Sequence, residues 1–283
     1  MKRLRRLEEY LFRFLMGLSL VIVLGSLMLI LGTMLWRGLP SLSLAMLTQV
    51  PKGGYYLGEE GGILNAIVGS LCLAGGATLL ALLLSLPVAI YLHTYAGCSR
   101  AAHLVRLAMD VLWGIPSIVY GAFAFTIMLW IGLRASLLGG IIALACLELP
   151  IIVRGMDEAF RLIPSALSEA SYALGATRFE TATRILLRQA TAGLLTAVLL
   201  AFGRGIGDAA SVLFTAGYTD RLPDSLLRPV ASLPLAVFFQ LGTPFPAVQQ
   251  RAYAAGLVLT VIVLTLSVVA RWLSRRLMHH VVR

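Results

Sequence analysis

The residues best placed for chemistry lie in AFGRGIGDAA, where Arg204 and Asp208 stand four positions apart inside an apolar run. On a helix that spacing puts both on one face. Charges within a membrane usually face the bundle interior, where they pair together or line a solute path. Two readings follow. The pair can fix helix packing as an ion pair. Alternatively, Arg204 offers a bidentate fork to a tetrahedral oxyanion, while Asp208 orients it and keeps the empty site from holding anions too tightly. Gly203, Gly205 and Gly207 leave room for close approach. No G-x-x-x-x-G-K-[ST], G-x-S-x-G, H-E-x-x-H or paired-cysteine motif occurs. The sequence therefore offers no catalytic residue, no metal site and no nucleotide pocket of its own.

The second feature is PSALSEASYALGATRFETATRILLR, Pro164 to Arg188, a long polar interruption in a greasy chain. Pro164 suits a helix start, and apolar positions 166, 167, 170, 173 and 174 share a face. Gly175 closes that helix in the left-handed conformation. Thr177 followed by Glu180 is a capping box that nucleates a second helix through Ile185 and Leu187.

The elements that position these residues are membrane spans. Hydrophobic residues make up 59% and charged ones 13% of the 283 residues, against about 25% charged in soluble domains. Runs near Phe14–Trp36, Ile63–Tyr95, Leu107–Leu133, Ser136–Val153, Gly193–Phe214 and Ala252–Leu273 give six spans. The third contains GIPSIVYG, whose mid-helix proline predicts a kink. The fourth ends around Glu148 and Pro150. The short apolar island Pro229–Gly242 reads as a re-entrant or interfacial helix in an external loop. With both termini cytoplasmic, sixteen of the 23 lysines and arginines fall in cytoplasmic segments and six in external ones, as the positive-inside rule requires. The net charge of +10 then needs no nucleic acid. Cys72, Cys98 and Cys146 lack metal spacing and read as structural thiols. Asp110, Glu148 and His93 are assigned to helix contacts or to water.

Glu169, Ala170 and Ser171, then Gly175, then Ile185 and Leu187 resemble the E-A-A-x3-G-x9-I-x-L-P signature of ABC importer permeases, with Ser171 and Arg188 departing from it. GGILNAIVGS, GIPSIVYG, the R-x-x-G-[ED] core at Arg204–Asp208, VLFTAGY and PVASLPLAVF narrow the resemblance to phosphate permease subunits of the PstA type, with Asp208 where a glutamate is usual. The resemblance implies an all-α integral membrane protein of the MetI-like type I fold, in a bacterial cytoplasmic membrane. Residues 1–62 would form a basic segment, first span and external loop, and 63–283 the permease domain with a cytoplasmic coupling loop at 154–192. It implies that Glu169, Ala170, Gly175, Ile185 and Leu187 couple to an ATPase, and that Arg204, Asp208 and Ser117 line the path of inorganic phosphate. No cofactor is expected on this chain, since ATP is used by the partner. The implied partners are a dimeric ABC ATPase (PstB-like), a second permease subunit (PstC-like), an extracytoplasmic phosphate-binding protein (PstS-like) and the lipid bilayer.

Other readings stay open at this point. Phosphite, phosphonate, sulfate or molybdate are alternative cargoes. A secondary anion transporter also places Arg and Asp in mid-membrane, but has no use for the Glu169–Leu187 loop.

Overall fold

The computed structural model describes residues 2–52, 61–97 and 99–277. Residues 53–60 of the expected external loop, and Cys98, read as a structural thiol, lie outside the described residues. The chain begins with the long α1 (Lys2–Gly38) and the short α2 (Leu44–Thr48). Next, α3 (Leu64–Tyr91) ends in a wider-wound π turn, Leu92–Ala96. Then come α4 (Arg100–Trp113), α5 (Ser117–Trp130) and α6 (Leu137–Arg161). The polar segment forms α7 (Ser165–Ala173) and α8 (Arg178–Glu180), which passes through a second π turn, Thr181–Leu186, into α9 (Leu187–Ile206). The short α10 (Leu233–Leu241) and the long α11 (Pro246–Leu277) complete the order.

Among the described residues, five helices are long and apolar enough to cross a membrane, and α4 with α5 make a sixth if that bent pair is one span. The bent pair corrects the predicted kink, because its two helices meet at 101°. Gly114 caps α4, and Pro116, which has no N–H to donate, starts α5. A glycine and a proline two residues apart break the helix outright.

Further differences concern helix ends. α6 runs through Pro150 to Arg161, so Glu148 sits near its middle and not at a span end. α9 stops at Ile206 instead of reaching Phe214. The apolar island forms α10, whose Leu233, Leu235 and Ala236 are fully buried, so it lies inside the protein. The hydroxyl of Ser70 in α3 accepts from its Leu233 N–H at 2.8 Å.

The body is a bundle of α3, α6 and α9, packed through Ala77, Ala81, Leu144, Ile152 and Ala201. Lipid tails supply no hydrophobic drive between helices, so close packing of small residues does the holding. A Cβ added at Gly76 would come within 2.6 Å of Ile141, and one at Gly155 within 2.6 Å of Ala197. α1 is different. None of its most apolar window is buried, and it touches the body through its last turns, where Met34 meets Gly256 and Gly38 meets Tyr253 and Ala254 of α11. Cys72 and Cys146 are free and exposed on the bundle surface.

Candidate functional site: the end of α9 and the segment that leads into it

The polar segment folds as its residues predict. Gly175 takes φ +84°, in the left-handed region, and ends α7. The hydroxyl of Thr177 accepts from the Glu180 N–H at 3.2 Å, while Glu180 accepts from the Thr177 N–H at 3.0 Å, completing the capping box. Glu169, Ala170 and Gly175 are exposed, whereas Ile185 and Leu187 are half-buried at the root of α9. Leu174 is 89% and Phe179 65% exposed, so the tip of the segment presents apolar side chains that none of the described residues covers.

Ser171, one of the departures from the signature, has a local reason. Its hydroxyl is buried and lies 2.9 Å from the hydroxyl of Thr181, joining α7 to the π turn. Ser171→Ala would strand Thr181 inside the segment. The expected loss is about 1–3 kcal/mol of stability, the usual penalty for an orphaned buried hydroxyl, measured by thermal melting in detergent.

Below the segment lies a charge cluster that sequence reading missed. Asp157 is fully buried. It accepts from Arg106 Nε at 2.9 Å and Nη2 at 3.2 Å, and Arg161 approaches it to 3.1 Å. Arg106 also donates to the carbonyls of Leu92 and Gly97, which close the end of α3. Arg154 lies 3.6 Å from Asp157 and 2.7 Å from Asp110, the latter having been given no role from sequence. The cluster ties α3, α4 and the foot of α6 together at the point where the polar segment begins. Partners 51 residues apart leave no periodic signal in the chain.

At the other end of α9 the expected pair does not form. Arg204 is in the last helical turn and exposed, but Asp208 lies beyond the helix end. The Asp208 carboxylate turns back and accepts from the Ser211 N–H at 2.8 Å. The i, i+4 ion pair thus fails because Gly207 ends the helix before residue 208. Arg204 has no side-chain hydrogen bond or ion pair among the described residues.

Of the three glycines, only Gly205 makes a close approach. A Cβ there would overlap Oε1 of Glu148, whereas Gly203 faces open space. Glu148 is fully buried, with Oε2 accepting from the Thr78 hydroxyl at 2.7 Å and Oε1 unpartnered. Ser117 opens α5 and is half-buried. One turn on, a Cβ at Gly121 would lie 2.7 Å from the Ser211 carbonyl, so α5 enters beside the Asp208 turn. The structure therefore gathers Arg204, Asp208, the start of α5 and the buried Glu148 at one end of α9. No group of three or more His, Cys, Asp or Glu side chains is placed to hold a metal among the described residues.

The chain that folds this way matches a family model. The model describes the binding-protein-dependent transport system inner membrane component and covers residues 86–279. The chain belongs to that family. Curated relatives agree with the assignment to these inner membrane components. The phosphate transport system permease protein PstA of Xylella fastidiosa is 36% identical over 249 residues, covering 86% of this chain and 84% of that protein. The protein of the same name from Haemophilus influenzae is 35% identical, covering 90% and 89%. PstA 1 of Mycobacterium tuberculosis is 38% identical, covering 74% and 69%. The fold matches the inward-facing MetNI methionine ABC transporter with a TM-score of 0.62 at 19% identity, over 76% of this chain and 95% of that one. A bacterial alginate ABC transporter matches with a TM-score of 0.60 at 17% identity, over 94% and 96%.

Proposed function

We propose that this chain is the membrane permease subunit of an ATP-driven importer and that its cargo is inorganic phosphate. The observation that carries the reading is the likeness, along 86% of the chain, to a phosphate transport permease at 36% identity. The geometry supports it. The polar segment runs without a break into α9, and Arg204 lies sixteen residues beyond Arg188, about 24 Å along a helix. One end of α9 can thus be moved by a partner while the other holds a guanidinium free for an oxyanion.

In this reading the polar segment is cytoplasmic, and the exposed Leu174 and Phe179 dock into a dimeric ABC ATPase that binds and hydrolyses ATP. A second permease subunit completes the path, and an external phosphate-binding protein delivers the ion. Transfer requires weak binding on the way, so that the ion can leave.

The decisive test is uptake of radiolabelled phosphate by an Arg204→Gln variant that still assembles and hydrolyses ATP. Uptake is expected to fall with assembly intact, and undiminished uptake rejects a translocation role for Arg204. For coupling, Gly175→Leu places a branched side chain at a left-handed position, which costs about 1–2 kcal/mol locally. It should reduce co-purification of the ATPase, and normal co-purification argues against docking at this segment. Asp208, folded back onto Ser211 and shorter than the usual glutamate, favours one second reading, another oxyanion such as sulfate, phosphite, phosphonate or molybdate. Stimulation of ATPase activity across a panel of these anions separates the two.

A further inference from the structure

Glu148 stands near the middle of α6 with none of its surface exposed, deep in the spanning bundle. One neutral hydroxyl, that of Thr78, serves Oε2, and Oε1 has no partner among the described residues. Burying a carboxyl with so little compensation is unfavourable. Ionisable groups in such places mark transport paths far more often than they aid packing. The unpartnered oxygen packs against α9. It faces the backbone of Gly205, and only the missing side chain of that glycine lets it stand there.

Gly205 directly follows Arg204, whose guanidinium also has no partner among the described residues, since Asp208 has turned back to the Ser211 N–H. A carboxyl packed against Gly205 and a guanidinium on the residue before it thus each lack an ion-pair partner among the described residues. We propose that Glu148 is the counter-charge that Arg204 takes up when the path is empty. The inference rests on the reading of Arg204 as the contact for the anion.

Successive residues of an α-helix are about 100° apart around its axis. A rotation of that size in the last turn of α9 would carry the Arg204 side chain toward the side on which Gly205 meets Glu148. With phosphate present, the ion occupies the guanidinium fork. As it leaves, Glu148 replaces it, which weakens rebinding and neutralises the empty path. The cavity against Gly205, lined by Leu73, Leu144 and Val212 as well as by Ser70, Asp208 and Ser232, measures about 10 Å³, room for one water at most. With none of its surface exposed, the Glu148 carboxyl is shut away from any anion in this conformation.

The test uses the intact transporter in proteoliposomes, with inorganic phosphate as the probe. Glu148→Gln keeps the side-chain volume and the Thr78 hydrogen bond and removes the charge. Maximal uptake and the half-saturating phosphate concentration should both fall, each by about fivefold or more, the lower bound for coupled sites. ATP hydrolysis should persist. In an Arg204→Gln background the same substitution should add nothing, because the partner is already gone. Additive effects overturn the proposal. So does an equal loss of assembled complex in both backgrounds, which assigns Glu148 to packing alone. Normal uptake by Arg204→Gln by itself defeats the translocation role beneath the inference. An impaired Arg204→Gln beside an unaltered Glu148→Gln defeats the inference and leaves that role standing.

Discussion

Asp157→Ala is expected to destabilise the protein by about 3–5 kcal/mol, the usual result of removing one partner from a buried charge cluster. The carboxylate has no exposed surface and is the shared acceptor for Arg106 and Arg161, with Arg154 close by. Without it, three guanidiniums crowd together at the foot of α6, and Arg106 loses the anchor that holds it against the carbonyls of Leu92 and Gly97. The neighbouring Glu158, more than half exposed and 3.7 Å from Arg154, is the control. Glu158→Ala should cost under about 1 kcal/mol, as solvent-screened pairs do. Thermal melting of the two variants in detergent gives the comparison. Equal melting points would show that the cluster does not secure the foot of α6.

Gly205→Ala carries the second large effect. Adding a methyl there overlaps Oε1 of Glu148, a fully buried side chain whose carboxyl must shift away from α9 to make room. Overpacking of this kind costs about 1–3 kcal/mol, occasionally more. Gly203, two residues earlier on the same helix, faces open space. Gly203→Ala should leave stability unchanged or raise it by about 0.5–1 kcal/mol, since alanine is the better helix former. Opposite signs from two glycines so close together are the expected outcome, read from the yield and melting point of each variant. Matching losses would show that α9 does not pack against α6 through Gly205.

The features that depend on local chemistry were legible in the chain. The capping box of Thr177 and Glu180, the left-handed turn at Gly175 and the apolar spans each follow from residues within a few positions of one another. Misreadings arose where two local rules competed. Arg204 and Asp208 have perfect helical spacing, but Gly207 and an aspartate that bonds its own backbone three residues on favour a turn over another helical residue. At Gly114 and Pro116 the proline alone suggested a kink, whereas the preceding glycine allowed a complete break. Contacts between distant positions were out of reach. Thr78 and Glu148 are 70 residues apart, and nothing in either run marks the other as its partner.

The bare surface of α1 bears on the order in which the protein can be built. None of its apolar window is buried against the described residues, so transfer from water to lipid alone suffices to insert it, and it needs no neighbour to do so. α6 is the opposite case. Its window is 72% buried and it carries Glu148 inward near its middle and Asp157 at its foot, and a charged residue at the bilayer centre costs a lone helix about 2.5–3.5 kcal/mol. That helix becomes stable only once α3 supplies Thr78 and α4 supplies Arg106. Biogenesis therefore divides the chain into an anchor that partitions autonomously and a body whose central helix must wait for its neighbours.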